Sequence, residues 1–304
     1  TWSPMDTLAQ IPTIALNVNS EQHHQALERL FTRVGQLSSL PAVAQRILQV
    51  AEDQESNAAD LLEVVGQDPT LAIRILRTVN SSYFGIPNQV ADLRTAIAML
   101  GFVEVRNLAL TVYVARLCDE PSKYRSFSRT ALWNHMVAVG TISREIARIY
   151  QRVEPEEAYM AGLLHDVGMI LIDQYMNKAF RQVVDLVSDG AEVIQAENRV
   201  LSFDHTDLGA YVARKSNFPE RIITAIQHHH RASEFEGKAQ ELLRIVAVAN
   251  YLASFKGLSS LGVSTIPVPD EKLCDSIGLG PRKLQSITDQ LDSILESAKV
   301  LADI

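Results

Sequence analysis

Apolar positions recur at three- and four-residue spacing along most of the chain, so the pattern predicts helices. Residues 1–19 are the exception: two prolines and a short β-like run, Ile14–Val18, read as a leader or linker. Ser20 caps a helix over 21–35 that Gly35 closes, and Pro41 opens one whose apolar face is Val43, Ile47, Leu48 and Val50. Asn57 caps the next, through Leu61, Leu62, Val64 and Val65 to Gly66. Asp68-Pro69 starts another, which the stretch Asn80–Pro87 ends. Asp92 caps a helix closed by Gly101, and Phe102 to Cys118 form one more. No Val/Ile/Thr-rich alternating strands compete in these first 118 residues.

Pro121 marks a boundary, and a long helix is predicted from Phe127 to Tyr150. Pro155 opens an apolar stretch, with further helices over 175–188 and 191–202. Asp204 caps Thr206 to Ser216, and Pro219-Glu220 starts a helix ending in the triplet His228-His229-His230. Residues 239–256 form another apolar helix. After a Gly-, Ser- and Pro-rich loop over 257–269, two small helices broken at Gly280-Pro281 finish the chain. Their apolar positions Leu284, Ile287, Leu291, Ile294 and Leu295 permit packing on the core or self-association. The expected fold class is all-α, a multi-helix bundle.

Composition narrows the function classes. At 304 residues, the chain has room for one large or two ordinary domains. With 47% hydrophobic and 21% charged residues, it reads as a soluble globular protein. A net charge of -8 argues against a phosphate-backbone partner, so no nucleic acid is expected. Cys118 and Cys274 are too few for a disulfide framework or a cysteine-based zinc site, and they fit a reducing cytoplasm. No apolar run approaches about 18 residues, so no membrane span is expected. The chain opens on Thr1 rather than Met, which fits a piece of a longer protein or a trimmed one. Oligomeric state is not legible.

One stretch resists the helical pattern's logic. In Ala158–Ile172 an imidazole and a carboxylate, His165-Asp166, sit among Ala, Leu, Val, Ile and Met. Burying an ionisable pair costs several kcal/mol unless each group is paired or metal-bound. Alone, the pair reads first as a structural hydrogen-bond knot inside an apolar helix. His135 alone reads as an ordinary helix histidine, His228 as a surface group, and His23 and His24 as solvent-facing. Yet six of the eight histidines fall after the Pro121 boundary: His135, His165, His205, His228, His229 and His230. Imidazoles with one carboxylate make a plausible transition-metal site.

The order His135, then His165-Asp166, then an acceptor near residue 250 is similar to that of the HD superfamily of metal-dependent phosphohydrolases. The match to the HDOD family is closer. It rests on Leu40-Pro41, Asp68-Pro69-Thr70-Leu71, Asn80-Ser81, Leu100-Gly101, Ala161–Gly168, His205–Gly209 and His229-His230. The matches run from about residue 37 to 255.

The resemblance implies a bacterial, all-helical signalling output module in a family whose catalytic activity is generally undemonstrated. It implies an N-terminal helical part over 37–120 packed on an HD-like part over 121–256. Residues 1–36 flank these as leader and helix, and 257–304 as a C-terminal extension. The implied partners are a regulatory protein, an upstream sensor or receiver domain, or both.

The implied metal set is His135, His165, Asp166, His205, His229, His230 and Asn250. The expected cofactor is one divalent transition metal (Fe, Mn, Ni or Zn), or none. Against the related HD-GYP phosphodiesterases, which cleave cyclic di-GMP, the chain departs in four places. A glutamate one turn before the first histidine falls on Ala131. The closing aspartate is Asn250, the lysine of the HD-x-GK motif is Met169, and Arg231-Ala232-Ser233-Glu234 replaces the Gly-Tyr-Pro signature. Loss of one preorganised electrostatic contact costs about 10²–10³ in rate. A non-catalytic module is therefore expected. The alternative is a metal-dependent phosphohydrolase acting on a nucleotide or cyclic dinucleotide, with Asp166 as ligand or proton acceptor.

Overall fold

The computed structural model describes residues 56–81, 84–119, 122–262 and 268–302, with positions 25, 28, 29, 43, 46, 47, 49 and 50. The leader, the Ser20 cap, His23, His24 and Pro41 lie outside the described residues. Val43, Ile47 and Val50 are helical as expected, with Ile47 fully buried.

The described chain is all-α apart from one two-residue hairpin. Its first part packs α1 (Ala58–Gly66), α2 (Pro69–Val79), α3 (Leu93–Leu100) and α4 (Phe102–Cys118) together. The predicted caps hold three of these: Asn57 accepts from Ala59, Asp68 from Leu71 and Asp92 from Thr95. Asn80 ends α2 and then fastens the following loop. Its amide donates to the carbonyls of Leu76 and Val90, both at 2.8 Å, and its oxygen accepts from Val90 N–H at 2.7 Å. Asn80→Ala removes three side-chain hydrogen bonds at once, and an expected loss of about 1–3 kcal/mol is readable by urea unfolding.

The expected helix from Phe127 begins instead at Arg129. Phe127-Ser128 (β2) pair antiparallel with Lys123-Tyr124 (β1), and Ser128 then caps the helix by accepting from Ala131 N–H at 3.0 Å. The hairpin is too short to show two-residue alternation, so periodicity could not reveal it. The helix that follows, α5 (Arg129–Tyr150), is the hub of the second part. It packs against α6 (Pro155–Leu164), α12 (Gln240–Phe255) and α14 (Pro281–Ala302). Between α6 and α12 lie α7 (Val167–Tyr175), α8 (Asn177–Ser188), α9 (Val193–Leu201), α10 (His205–Lys215), α11 (Glu220–His228) and a 3₁₀ turn (His229–Arg231). A short α13 (Glu271–Ser276) precedes α14.

α14 is a 22-residue helix, not a small one, because no Gly or Pro follows Pro281 to stop it. It packs on the core: Ile287, Leu291, Ala298 and Leu301 are buried, and Trp133 donates to the Ala302 carbonyl at 2.9 Å. A continuous hydrophobic core runs through both helical parts. Among the described residues, no helix is long and apolar enough to cross a membrane.

Two buried charge groups lock this arrangement. Arg129 at the start of α5 pairs with Asp173 on α7 at 2.6 Å, and both are almost fully buried. At the junction of the two parts, Arg144 on α5 meets Glu156 on α6 at 2.7 Å and Glu104 on α4 at 3.5 Å. Burial pushes the Glu104 carboxyl up to about 7, against the pull of Arg144 and with the neighbouring Glu156 adding to the rise. The folded chain therefore holds a proton that the unfolded chain releases near the ordinary value of 4.5. This contribution to stability is full below about pH 4.5 and is lost as pH rises through 7. Glutamine mimics the protonated acid, so Glu104→Gln is expected to match the parent near pH 5. Near pH 8 it should exceed the parent by roughly 1–3 kcal/mol in unfolding free energy.

Candidate metal centre

The chain breaks its helix where the sequence pattern suggested continuity. α6 ends at Leu164, His165 and Asp166 form a turn, and α7 restarts at Val167. This turn puts both side chains inward instead of on opposite sides of one helix. Helices approach closely around it because glycines face backbone. A Cβ on Gly168 would lie 2.0 Å from the His205 carbonyl oxygen, and one on Gly162 would lie 2.8 Å from that of Val139. These two contacts bring α10 and α5 up to the turn, and with them His205 and His135.

Asp166 sits at the centre. Its Oδ2 is 3.3 Å from His165 Nε2 and 3.6 Å from His135 Nε2. Its Oδ1 is 3.3 Å from His205 Nε2 and 3.4 Å from His229 Nε2. His230 joins at the rim, its Nε2 3.2 Å from that of His205. Two overlapping donor groups result: His135, His165 and Asp166, and Asp166, His205, His229 and His230. Asn250 on α12 faces the same space, with its buried Oδ1 lacking a hydrogen-bond partner. The structure thus gathers every residue of the expected set. It leaves out His228, which is half-buried and stacks on Phe235.

The outer nitrogens explain why the inner ones point as they do. Nδ1 of His135 donates to the Leu258 carbonyl (2.8 Å), that of His165 to Gly162 (2.7 Å) and that of His229 to Ile226 (2.9 Å). A carbonyl only accepts, so each Nδ1 carries a proton and each ring turns its Nε2 inward. His205 is held by a carboxylate: Glu197 Oε2 accepts from its Nδ1 at 2.7 Å and from its backbone N–H at 3.0 Å. Orienting partners on the far nitrogen are the usual support of a metal-ligating histidine.

Such an arrangement suits a cation. Nε2 of His135 and of His165 face each other at 3.2 Å, two lone pairs that repel unless a proton or an ion lies between. Asp166 Oδ1 and His229 Nε2 are buried without a hydrogen-bond partner. Burial holds His135 and His229 down to about 4, so both are neutral and available as ligands at pH 7. Burial alone would raise the Asp166 carboxyl, but His165, His205 and His229 reverse that and hold it well below the usual range. The residues therefore fit a divalent transition metal.

Glu197 escaped the sequence reading. It is fully buried beside Ala196 on α9, and only the packing that buries it sets it apart from an ordinary surface glutamate. Above the cluster opens a cavity of about 680 Å³, lined by Asp166, Met169, His230 and Asn250 among others. Among the described residues that line it there is no lysine or arginine.

A family model, the HDOD domain, matches residues 37–232. The chain belongs to the HDOD family. Among curated proteins, an uncharacterised protein of Treponema pallidum is 23% identical over 225 residues, covering 73% of this chain. The chain spans only 43% of that relative's length.

Three solved structures share the fold. An HDOD domain protein of unknown function from Geobacter sulfurreducens has a TM-score of 0.78 at 24% identity, covering 93% of this chain and 99% of that one. A candidate signal transduction protein from Marinobacter aquaeolei has a TM-score of 0.76 at 24% identity, covering 93% of this chain and 65% of that one. A candidate phosphohydrolase from Shewanella amazonensis has a TM-score of 0.71 at 23% identity, covering 91% and 98%.

Proposed function

We propose that this HDOD chain is a bacterial, cytoplasmic signal-transduction output module, acting on a regulatory protein partner or for an upstream sensor or receiver domain. Its cluster holds one divalent transition metal without efficient hydrolysis. The observation that carries this reading is the missing positive charge over the cluster. Met169 lines the cavity where the related phosphodiesterases place a lysine, and no described lining residue replaces that cation. The Marinobacter relative, described as a candidate signal transduction protein, agrees with it.

Charge favours one ion over two. Two divalent ions would bring four positive charges, and among the gathered donors only Asp166 is a carboxylate. Glu197 stands behind His205, its Oε2 2.7 Å from Nδ1, and adds at most one more negative charge. Two or three uncompensated charges in a low-dielectric site disfavour the second ion. Histidine-rich donors with one carboxylate suit Fe, Mn, Ni or Zn.

A second reading has its own support. Each Asp166 oxygen faces a separate histidine group, as a carboxylate between two ions would. A metal-dependent phosphohydrolase acting on a nucleotide or cyclic dinucleotide would use His135, His165, Asp166, His205, His229 and His230 as ligands. A bound ion there supplies Lewis acidity toward a phosphoryl oxygen. The chain's own contribution would be orientation, through the Nδ1 contacts already described.

Assays of cyclic di-GMP and bis(p-nitrophenyl) phosphate with added Mn²⁺ or Fe²⁺ decide between the two. The module reading expects no turnover above the protein-free blank. Turnover that disappears in a folded Asp166→Ala variant would establish the hydrolase instead.

A further inference from the structure

The cavity above the cluster carries groups that metal binding leaves unused. α12 presents two stripes to it: Asn250 with Ser254, and Tyr251 with Phe255, each pair one helical turn apart. Asn250 is 4% and Ser254 1% exposed, and neither side-chain oxygen has a hydrogen-bond partner among the described residues. A buried polar atom without a partner costs about 1–3 kcal/mol, so an occupant that hydrogen-bonds Ser254 would gain by satisfying it. Ser254 lies outside the proposed ligand set, which makes it the clean marker of a second function.

The walls state what the occupant's body must be. Tyr251 and Phe255 stack with ring centroids 6.2 Å apart at 28°, and Phe255 is 62% exposed. Ile194 and Leu261 add apolar surface, and Glu192 adds a negative charge with no lysine or arginine to offset it among the described lining. Apart from the ion proposed in the cluster below, a free anion would meet repulsion from Glu192 and no cationic lining side chain. A flat, uncharged ring would meet aromatic and aliphatic surface.

We propose that this cavity binds an uncharged, planar aromatic small molecule bearing an amide or hydroxyl that hydrogen-bonds Ser254. Such a molecule serves as the chemical input of the module. The role as input rests on the signalling reading above; the binding itself does not.

The test uses 4-hydroxybenzamide as probe, followed by saturation-transfer NMR on the intact, untagged protein, with phenyl phosphate compared on chelator-stripped protein so that the ion cannot hold its phosphate. The amide is expected to bind, and phenyl phosphate to bind more weakly. Ser254→Ala is expected to weaken the amide about tenfold, and Ile194→Trp to weaken it by intruding on the cavity wall. In Ser254→Ala the metal content should stay at the parental value and Tm should stay at or rise above it. If Ile194→Trp fails to fold, Ser254→Ala alone decides.

Absence of binding, or binding indifferent to Ser254→Ala, overturns the proposal. Tighter binding of phenyl phosphate overturns the uncharged occupant and makes the cavity a phosphate site. Metal content and turnover on the same samples separate the two levels. A chain that keeps its ion, hydrolyses nothing and ignores the probe retains the proposed function and loses this inference.

Discussion

Gly168→Ala is expected to destabilise the protein by about 3 kcal/mol or more and to strip the cluster of its ion. The added Cβ would sit 2.0 Å from the His205 carbonyl oxygen, 2.8 Å from its carbon and 3.0 Å from Gly209 N. All three are backbone atoms of α10, so no side chain can swing aside. Relief requires α7 and α10 to part, which opens packed surface along both helices. Overpacking usually costs about 1–3 kcal/mol, and a backbone-on-backbone clash belongs at or beyond the top of that range. A domain has only about 5–15 kcal/mol of stability to lose.

The same movement would carry His205 away from Asp166, breaking a contact of 3.3 Å. Gly66→Ala is the control, because nothing lies within 4 Å of a Cβ there. Urea unfolding and metal content, measured on both variants, check the expectation. A Gly168→Ala protein with parental stability would show that the α7–α10 contact is not what holds the site.

Asp166→Asn should reduce metal affinity by at least about 100-fold while leaving side-chain volume unchanged. The carboxylate is the one group that touches both donor sets, and it supplies the only negative charge within them. Asparagine keeps an oxygen but loses that charge, and its NH₂ would point at an imidazole lone pair. The His205–Glu197 pair should survive, since Glu197 holds it from the opposite side at 2.7 Å. Competition against a chromophoric chelator reads the affinity, and circular dichroism confirms the fold. Affinity within tenfold of the parent would remove Asp166 from the centre of the site.

Most helices were legible because their ends are written in local chemistry. Asn57, Asp68, Asp92 and Asp204 cap the helices they were expected to cap. The histidine set was legible only through its order along the chain, since spacing across separate helices fixes no distance. Three features were not readable. The break at His165-Asp166 lies in a run that is apolar on both sides, so nothing local marks it. The grip of Glu197 on His205 joins two helices through tertiary packing. The demand for glycine at 168 arises only when α10 arrives, because the atoms that a Cβ there would strike belong to α10. Ends defined by side-chain caps can be read from sequence; close approaches between helices cannot.

The most direct measurement is elemental analysis of untagged protein, before and after loading with Fe²⁺, Mn²⁺, Ni²⁺ or Zn²⁺, with phosphodiesterase turnover measured on the same sample. The account predicts about one ion per chain, carried by the single-carboxylate cluster, and no turnover. No bound metal after loading, or two ions per chain with sustained hydrolysis, would contradict it.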